Sequence, residues 1–590
     1  MYDNLEIRNG FMGKVKYNKE GEETGFKKIA KAIFLEQIFE SVETGEITWL
    51  LKFDYLGKDK YIELPRKEIG DKKMVTVLSA IGADICIKNF DAVVNSLRIQ
   101  ESMFLSSCKS YRNIGWIRMW DERTQSFCWR YRCSKLVGGM KSKYLGNYSL
   151  TPKGSFECWK EMVEEEVLGN AGLETLLVAS LASVVVGLIG EIISVENPII
   201  HLNYDSGKGK STVAVLAASV SGEAFDGKKI TTDKNGIKKE YLSVYGSWGA
   251  TERATITPHS GNCGVVAVLN ELGKCTCRDM TSVIFNLSEG SDIKRLNTNL
   301  DTVLSEGFRT VFISCGEMSL IKKCKTKLEG IRSRVLEIEE AMTNDGAHAR
   351  RIKDKCRKNY GFAAPMIAKY IVDHYSQEDV VEIYKKCLQE LTENAPEGVA
   401  DRFIEKFPAY FLTTARLAKE ALGIEFDEKI IIEFCYKCWG TENKSHYGVC
   451  ESYSCIIGEC LQNEINFFHK AKNPMPRVTW GAVTYCDTQV DNKLVVAEYG
   501  LTRSALEALL SKHGYENLST CVREWKAKGV LNYELGRSTR ERMINDIGLK
   551  ENLYVLRLFG NKEQEKDTDE KVKIKILQRR KELLEDDFSA

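Results

Sequence analysis

Three observations predict an α/β fold built on a doubly wound parallel sheet. A short apolar strand, Pro198-Ile199-Ile200-His201-Leu202-Asn203, runs through a glycine-bearing loop into a helix, Ser211–Ser219. Two more apolar runs, Val265-Val266-Ala267-Val268-Leu269-Asn270-Glu271 and Thr310-Val311-Phe312-Ile313-Ser314, each end in a polar residue. From about residue 160 onward, helical and strand patterns alternate as the crossover units of such a sheet require.

The elements on either side divide the chain. At 590 residues it exceeds what one hydrophobic core supports. Residues 1–155 alternate short strands (Ile47–Leu51, Lys60–Leu64) with a helix near Asp91–Gln100, as in an α+β accessory domain. Residues 156–345 are the P-loop core. Residues 346–473 are helical throughout and form the expected lid, and Pro474 and Pro476 mark a linker. Residues 474–562 give two helices, Leu506–His513 and Leu518–Lys528, and two candidate wing strands, Val530–Tyr533 and Tyr554–Arg557, hence a winged-helix-like domain. A charged tail, 563–590, follows.

Bulk properties narrow the setting. Lys and Arg number 84 against 83 Asp and Glu, so a nucleic-acid surface has to be a local patch. The 19 cysteines are scattered, and Met1-Tyr2-Asp3-Asn4-Leu5-Glu6 has no basic start followed by an apolar run, which predicts a cytoplasmic protein. The apolar stretch Leu173–Ile193 contains Glu174 and Glu191 and leads into the loop strand. It is expected to be a buried core helix and not a membrane span.

The loop Asp205-Ser206-Gly207-Lys208-Gly209-Lys210-Ser211-Thr212 ends as a phosphate-binding P-loop does. Glycines turn backbone amides toward phosphate oxygens, and the helix that follows adds its positive N-terminus. Lys210 is placed to reach the β and γ phosphates and Ser211 to hold magnesium. ATP and Mg2+ are the expected ligands. Tyr204 stands where the motif G-x-x-x-x-G-K-[ST] has its first glycine. Glu271 is the expected base for the attacking water. Asn270 takes the place of the usual aspartate, an acceptor without charge that meets magnesium through its water shell.

Ser314 is expected to be the sensor that positions the water. After a predicted helix, Met318–Leu328, comes Arg332-Ser333-Arg334, directly before a strand at Val335–Ile338. An arginine there can reach a neighbouring subunit's γ-phosphate in a ring ATPase, with Arg334 first and Arg332 second. Arg402, early in a lid helix at Val399–Phe407, is the expected second sensor, with Arg416 as fallback.

Trp248-Gly249-Ala250-Thr251, Asn286-Leu287-Ser288-Glu289-Gly290, Ile313-Ser314-Cys315-Gly316-Glu317, Arg334-Val335 and Asn359-Tyr360-Gly361-Phe362 occur in the order found in one bacterial family. Over roughly residues 30–560 the chain resembles the domain-of-unknown-function 927 family, which includes the MCM-like AAA+ helicases of staphylococcal chromosome cassettes and related mobile elements. The resemblance implies an AAA+ core and a hexameric replicative helicase acting on single-stranded and forked DNA, with replication partners from its element. It also implies a β-hairpin ahead of the sensor strand, projecting into the ring's channel. Asp292-Ile293-Lys294-Arg295-Leu296-Asn297-Thr298-Asn299 supplies that hairpin here, with Lys294 and Arg295 on the phosphate backbone. On the winged helix, Arg537, Arg540 and Arg542 cluster where a wing meets DNA.

Cys435, Cys438, His446, Cys450 and Cys455 are enough ligands for zinc, yet Ile430–Trp439 reads as one buried helix in which cysteine is a small apolar residue. Three functions stay open on the residues: an ATP-driven DNA helicase, a non-translocating AAA+ switch that assembles on DNA as an initiator or scaffold, and a degenerate NTPase.

Overall fold

The computed structural model describes residues 4–558 apart from 140, 226, 233–237, 250, 292–294, 297–301, 304–305, 325–328, 397, 444–450, 470–477, 491–492, 516 and 535. It comprises two units. One consists of Met1–Cys277, Phe285–Met318 and Arg334–Cys435, the other of Arg278–Ile284, Ser319–Ser333 and Tyr436–Ala590.

The first unit is organised by a five-stranded sheet. In spatial order its strands are Tyr245–Ser247, Ala267–Asn270, Phe312–Gly316, Ile199–Asn203 and Val335–Ile338, and every neighbouring pair is parallel. Parallel sheets are covered on both faces, so their strands are apolar runs without alternation. Here Ala267–Asn270, Phe312–Gly316 and Val335–Ile338 are buried at every position. The middle strand continues two residues past Ser314, through Cys315 to Gly316. Glycine fits at its end because a Cβ there would lie 2.9 Å from Leu272 and 3.1 Å from His201.

Helix Ala171–Ile189 packs against Lys210–Ser219 and Pro408–Leu422. Asn170 caps it by accepting from the Leu173 amide at 3.1 Å. It is long and apolar enough to cross a membrane, yet it is buried nearly all round, as a core helix without a polar face must be. The helical region runs through Gly346–Lys358, Ala363–His374, Gln377–Glu393, Asp401–Lys406 and Pro408–Leu422. The helix expected at 399–407 is shorter, because Pro408 opens a new helix from its first position. The helix expected at 318–328 is absent among the described residues there. Residues 320–323 form turns, and a short helix, Glu329–Arg332, follows.

The N-terminal residues form a three-stranded antiparallel sheet (Leu5–Arg8, Phe11–Tyr17, Glu23–Lys31). A five-stranded sheet follows, in the order Ser142–Tyr144, Cys108–Tyr111, Ile33–Ser41, Ile47–Tyr55, Lys58–Pro65. Helix Phe90–Ser102 buries Val93, Val94 and Leu97 in their common core. A further hairpin, Ile114–Asp121 with Ser126–Arg132, is extended by Asn262–Cys263, which precedes the acidic strand of the core. That shared sheet crosses the expected boundary at 155.

In the second unit helices Arg503–Lys512 and Leu518–Ala527 lie where the sequence places them. Leu531–Asn532 and Arg540–Met543 both pair with Lys550–Arg557. A long antiparallel pair, Gly481–Val490 with Lys493–Leu501, joins the same sheet and was not anticipated. Trp525, Tyr499, Leu506 and Leu556 centre its core.

Candidate nucleotide-binding site

The loop between Asn203 and Lys210 depends on two left-handed glycines, Gly207 at φ +79° and Gly209 at φ +90°. A side chain at either would be strained. At Gly209 it would also collide with Thr343, 2.4 Å from the Cβ position. Thr343 follows the strand Val335–Ile338 and donates to the Lys208 carbonyl at 3.3 Å, so that segment closes against the loop. Helix Lys210–Ser219 begins at Gly209 and turns its unpaired first-turn amides back toward the loop. Ser211 is exposed at this end and Thr212 is buried, which leaves the Ser211 hydroxyl as the accessible one for a hydrated cation. Asp205 and Lys208 pair across the loop at 2.8 Å.

Tyr204 replaces a glycine without obstructing the loop, because its ring points into the protein and is 7% exposed. The Lys210 ammonium donates to the Tyr204 carbonyl and lies 5.0 Å from its ring centroid. Burial pushes the Tyr204 phenol up, and its hydroxyl has no partner among the described residues.

Glu271 stands at the end of Ala267–Asn270 in the left-handed region, φ +58°, with its carboxylate half exposed and paired with Lys274. Few non-glycine residues adopt that conformation, and those that do cluster at functional sites. Asn270 is buried, and its carbonyl accepts from the Trp248 amide at 3.0 Å. One strand, Phe312–Gly316, separates this acidic end from the loop strand, so both end at the same edge of the sheet.

Ser314 corrects one expectation. Being two residues short of the strand end, it is wholly buried in register with His201. The Met318 carbonyl accepts from His201 Nε2 at 2.9 Å, which leaves Nδ1 to accept from Ser314 at 2.7 Å. Trp248 Nε1 donates to the same serine hydroxyl at 3.1 Å. Ser314 therefore ties its strand to the loop strand and to Trp248, just past Tyr245–Ser247, and is fully buried. Burial, helped by Lys210, pulls the His201 pKa down to about 4 although the Met318 bond opposes it, so the ring is neutral. Sequence reasoning missed His201, an isolated polar residue in an apolar strand. It noted Trp248 only as part of a motif.

The arginines gather elsewhere. Arg334 is 9% exposed, pairs with Glu196, and lies 4.4 Å over the Phe285 ring. Glu196 also receives Lys406. Burial raises the Glu196 pKa, but Lys406, Arg334 and Arg402 outweigh it and bring it below the usual range. Burial drives Lys406 down to about 8 against the pull of Glu196. Glu196 and Arg334 precede parallel neighbouring strands, so this cluster lies at the edge of the sheet opposite the loop. Arg402 belongs to it and is not on this chain's own loop. Arg332 ends the helix Glu329–Arg332, and Arg416 is tied to Glu390 and Glu428. Neither Glu196 nor Lys406 was singled out in the sequence, since each is an ordinary charged residue at an element's end.

In the insertion before the middle strand, Arg295–Leu296 pairs antiparallel with Thr302–Val303. Lys294 lies outside the described residues. The stem is pinned by Phe308 donating to the Gly290 carbonyl at 3.0 Å and by Arg309 donating to the Glu289 carbonyl at 2.9 Å. Of the wing arginines, Arg537 is exposed in a turn, Arg540 is half-buried on its strand, and Arg542 is held by Glu498 at 3.2 Å. Cys435 and Cys438 are buried in helix Glu428–Asn443, while His446 and Cys450 lie outside the described residues.

Residues 6–299 match the model of a domain of unknown function (DUF927), and residues 450–561 match that of the Cch helix turn helix domain. Among curated proteins there is no match. The solved structure of the SCCmec type IV Cch, an active helicase, is similar at 20% identity over 94% of this chain and 96% of that one, with a TM-score of 0.70. A proposed ATPase of Cytophaga hutchinsonii is 11% identical over 48% of this chain and 85% of its own, with a TM-score of 0.26. The chain thus matches the DUF927 model over residues 6–299 and the Cch helix turn helix model over residues 450–561, and it shares the fold of the SCCmec Cch helicase.

Proposed function

We propose that this protein is an ATP-driven DNA helicase of a mobile genetic element, working as a ring with magnesium-bound nucleotide at each subunit interface. The observation that carries the reading is the common edge of the parallel sheet. It bears the loop of Gly209, Lys210 and Ser211 and, one strand away, Glu271 held in a left-handed conformation. Lys210 and the amides of the first helical turn bind the phosphates, Ser211 and Asn270 hold the hydrated magnesium, and Glu271 takes the proton of the attacking water. The fold shared with an active helicase supports the step from ATPase to helicase.

Arg334 and Arg402, with Arg332 nearby in sequence, serve the neighbouring subunit's site, since the Glu196 cluster is at the far edge from this chain's own loop. DNA is held by the hairpin of Lys294 and Arg295 in the channel. At the C-terminal domain it is held by Arg537 and Arg540 of the wing, by Arg523, exposed on helix Leu518–Ala527, and by Lys528, exposed just past that helix's end. The alternative, an ATP-dependent switch that assembles on DNA without moving along it, is favoured by Asn270, whose amide binds magnesium less firmly than an aspartate.

Hydrolysis measured with and without single-stranded DNA tests this. DNA-stimulated hydrolysis is expected for the wild type and none for Lys210→Ala or Arg334→Ala alone. Mixing the two variants restores part of the activity, because one supplies an intact site and the other the arginine. Absence of complementation would place the arginine in its own subunit's site, and undiminished hydrolysis by Lys210→Ala would remove the nucleotide site from the loop.

A further inference from the structure

The hairpin Ile114–Asp121/Ser126–Arg132 changes character along its length. At its root it is locked to the ATPase core. Trp116 Nε1 donates to the Val184 carbonyl at 2.7 Å, and Tyr131 donates to the Gly264 carbonyl at 2.8 Å. Gly115 approaches Cys263 so closely that a Cβ would lie 1.9 Å from its carbonyl oxygen. Asn113, just before the root, donates to Glu306 on the stem of the second hairpin. The far end lies roughly 23 Å away, seven residues at ~3.3 Å each.

There two rings are left in water, Trp120 at 47% and Phe127 at 58% exposure. They are cross-strand partners packed edge to face, with centroids 5.2 Å apart and planes at 73°. Arg118 lies on the same face, 5.6 Å over Phe127, without a carboxylate partner among the described residues. Asp121 is shared by Arg123 at 3.3 Å and Arg130 at 2.7 Å, so with Glu122 the tip keeps an excess of cations, Arg123 being largely exposed. Exposed aromatic rings flanked by guanidinium groups suit unpaired bases joined by phosphates, and less well a stacked duplex or an apolar peptide.

We propose that this hairpin is a stacking platform for single-stranded DNA, with Trp120 and Phe127 receiving base faces and Arg118 and Arg123 the adjoining phosphates. It is distinct from the strand pair Arg295–Leu296 and Thr302–Val303, and its rigid root ties it to the strand that leads to Glu271. The inference rests on the reading of DNA as the substrate.

The test is equilibrium binding of the full chain, without nucleotide, to a labelled oligothymidylate of about 30 nucleotides, enough to cover an aromatic platform and its flanks. Trp120→Ala/Phe127→Ala is expected to weaken binding about tenfold or more, the usual loss when a stacking ring is removed. Trp120→Phe/Phe127→Tyr should bind as the wild type does, and basal ATP hydrolysis should be unchanged in both. Unaltered binding by the alanine variant would overturn the proposal. So would an equal loss in the aromatic variant, or a change in subunit association on sedimentation that accounts for the loss. Because the readout needs no hydrolysis, a wild type that binds through these rings but fails to unwind counts against the helicase reading alone.

Discussion

Glu271 combines two properties that mutation can separate. Its left-handed backbone costs of order 1 kcal/mol for a residue with a Cβ, and its carboxylate is the proposed base. Glu271→Gln should still bind ATP but hydrolyse it about 100-fold or more slowly, the usual contribution of a positioned base. Glu271→Gly should be as inactive yet more stable by about 1 kcal/mol, seen as a higher melting temperature. A glycine variant of unchanged or lowered stability would mean that the conformation carries no strain. The buried histidines give a pH dependence. His201 and His259 are both pulled to about 4 by burial, below the 6.5 of an exposed imidazole, so the unfolded chain binds more protons between those values. Their contribution is complete above about pH 6.5 and is lost as pH falls toward 4. His259 packs edge-on against Phe308 and Phe312, with centroids at 6.2 and 5.0 Å, so His259→Phe should fit and lose less stability than the wild type between pH 6.5 and 4. Parallel melting curves for the two proteins across that range would contradict this. At this scale the strand, loop and helix around Gly209, Lys210 and Ser211 were legible, because a glycine run between an apolar strand and a helix marks a tight turn. Ser314 was misplaced because cysteine and glycine do not look like a strand's end, and only the tertiary neighbours of Gly316 explain why the strand continues.

Among elements, those with one strong physical signature were the readable ones. Helix Ala171–Ile189, apolar on every side, and the run Ala267–Asn270 could only be buried. The pair Gly481–Val490 and Lys493–Leu501 was passed over, since its polar residues hide the alternation that marks a strand and its partner has to be known first. The joining of the aromatic hairpin to Asn262–Cys263 depends on a contact across some 150 residues that no local pattern announces. That junction is testable on its own. Gly115 combines φ +80° with a Cβ position 1.9 Å from the Cys263 carbonyl oxygen, and backbone on both sides cannot yield cheaply. Gly115→Ala should destabilise the first unit by about 2–4 kcal/mol, adding overpacking to left-handed strain, as read from urea unfolding. A loss below about 1 kcal/mol, the strain alone, would mean that the hairpin root is loosely joined.

For the whole molecule, the sheet has two charged edges. The carboxyl edge carries the loop and Glu271, and the opposite edge carries Arg334, Lys406 and Arg402 around a single carboxylate, Glu196. A subunit whose nucleotide loop and arginines face opposite ways is suited to a ring in which each site is completed by a neighbour. From sequence the arginines could be placed beside the strand Val335–Ile338, but which edge they occupied became clear only from the order and direction of the strands. Hydrolysis at these sites is proposed to separate DNA strands, and displacement of a labelled strand from a forked duplex, with ATP and magnesium, is the direct test. Wild-type protein should displace the strand, while Glu271→Gln, with ATP bound, should hold the fork without opening it. Steady ATP hydrolysis by the wild type with no strand displaced would contradict the claim and leave the DNA-bound switch, and displacement by Glu271→Gln at the wild-type rate would contradict the role given to the site itself.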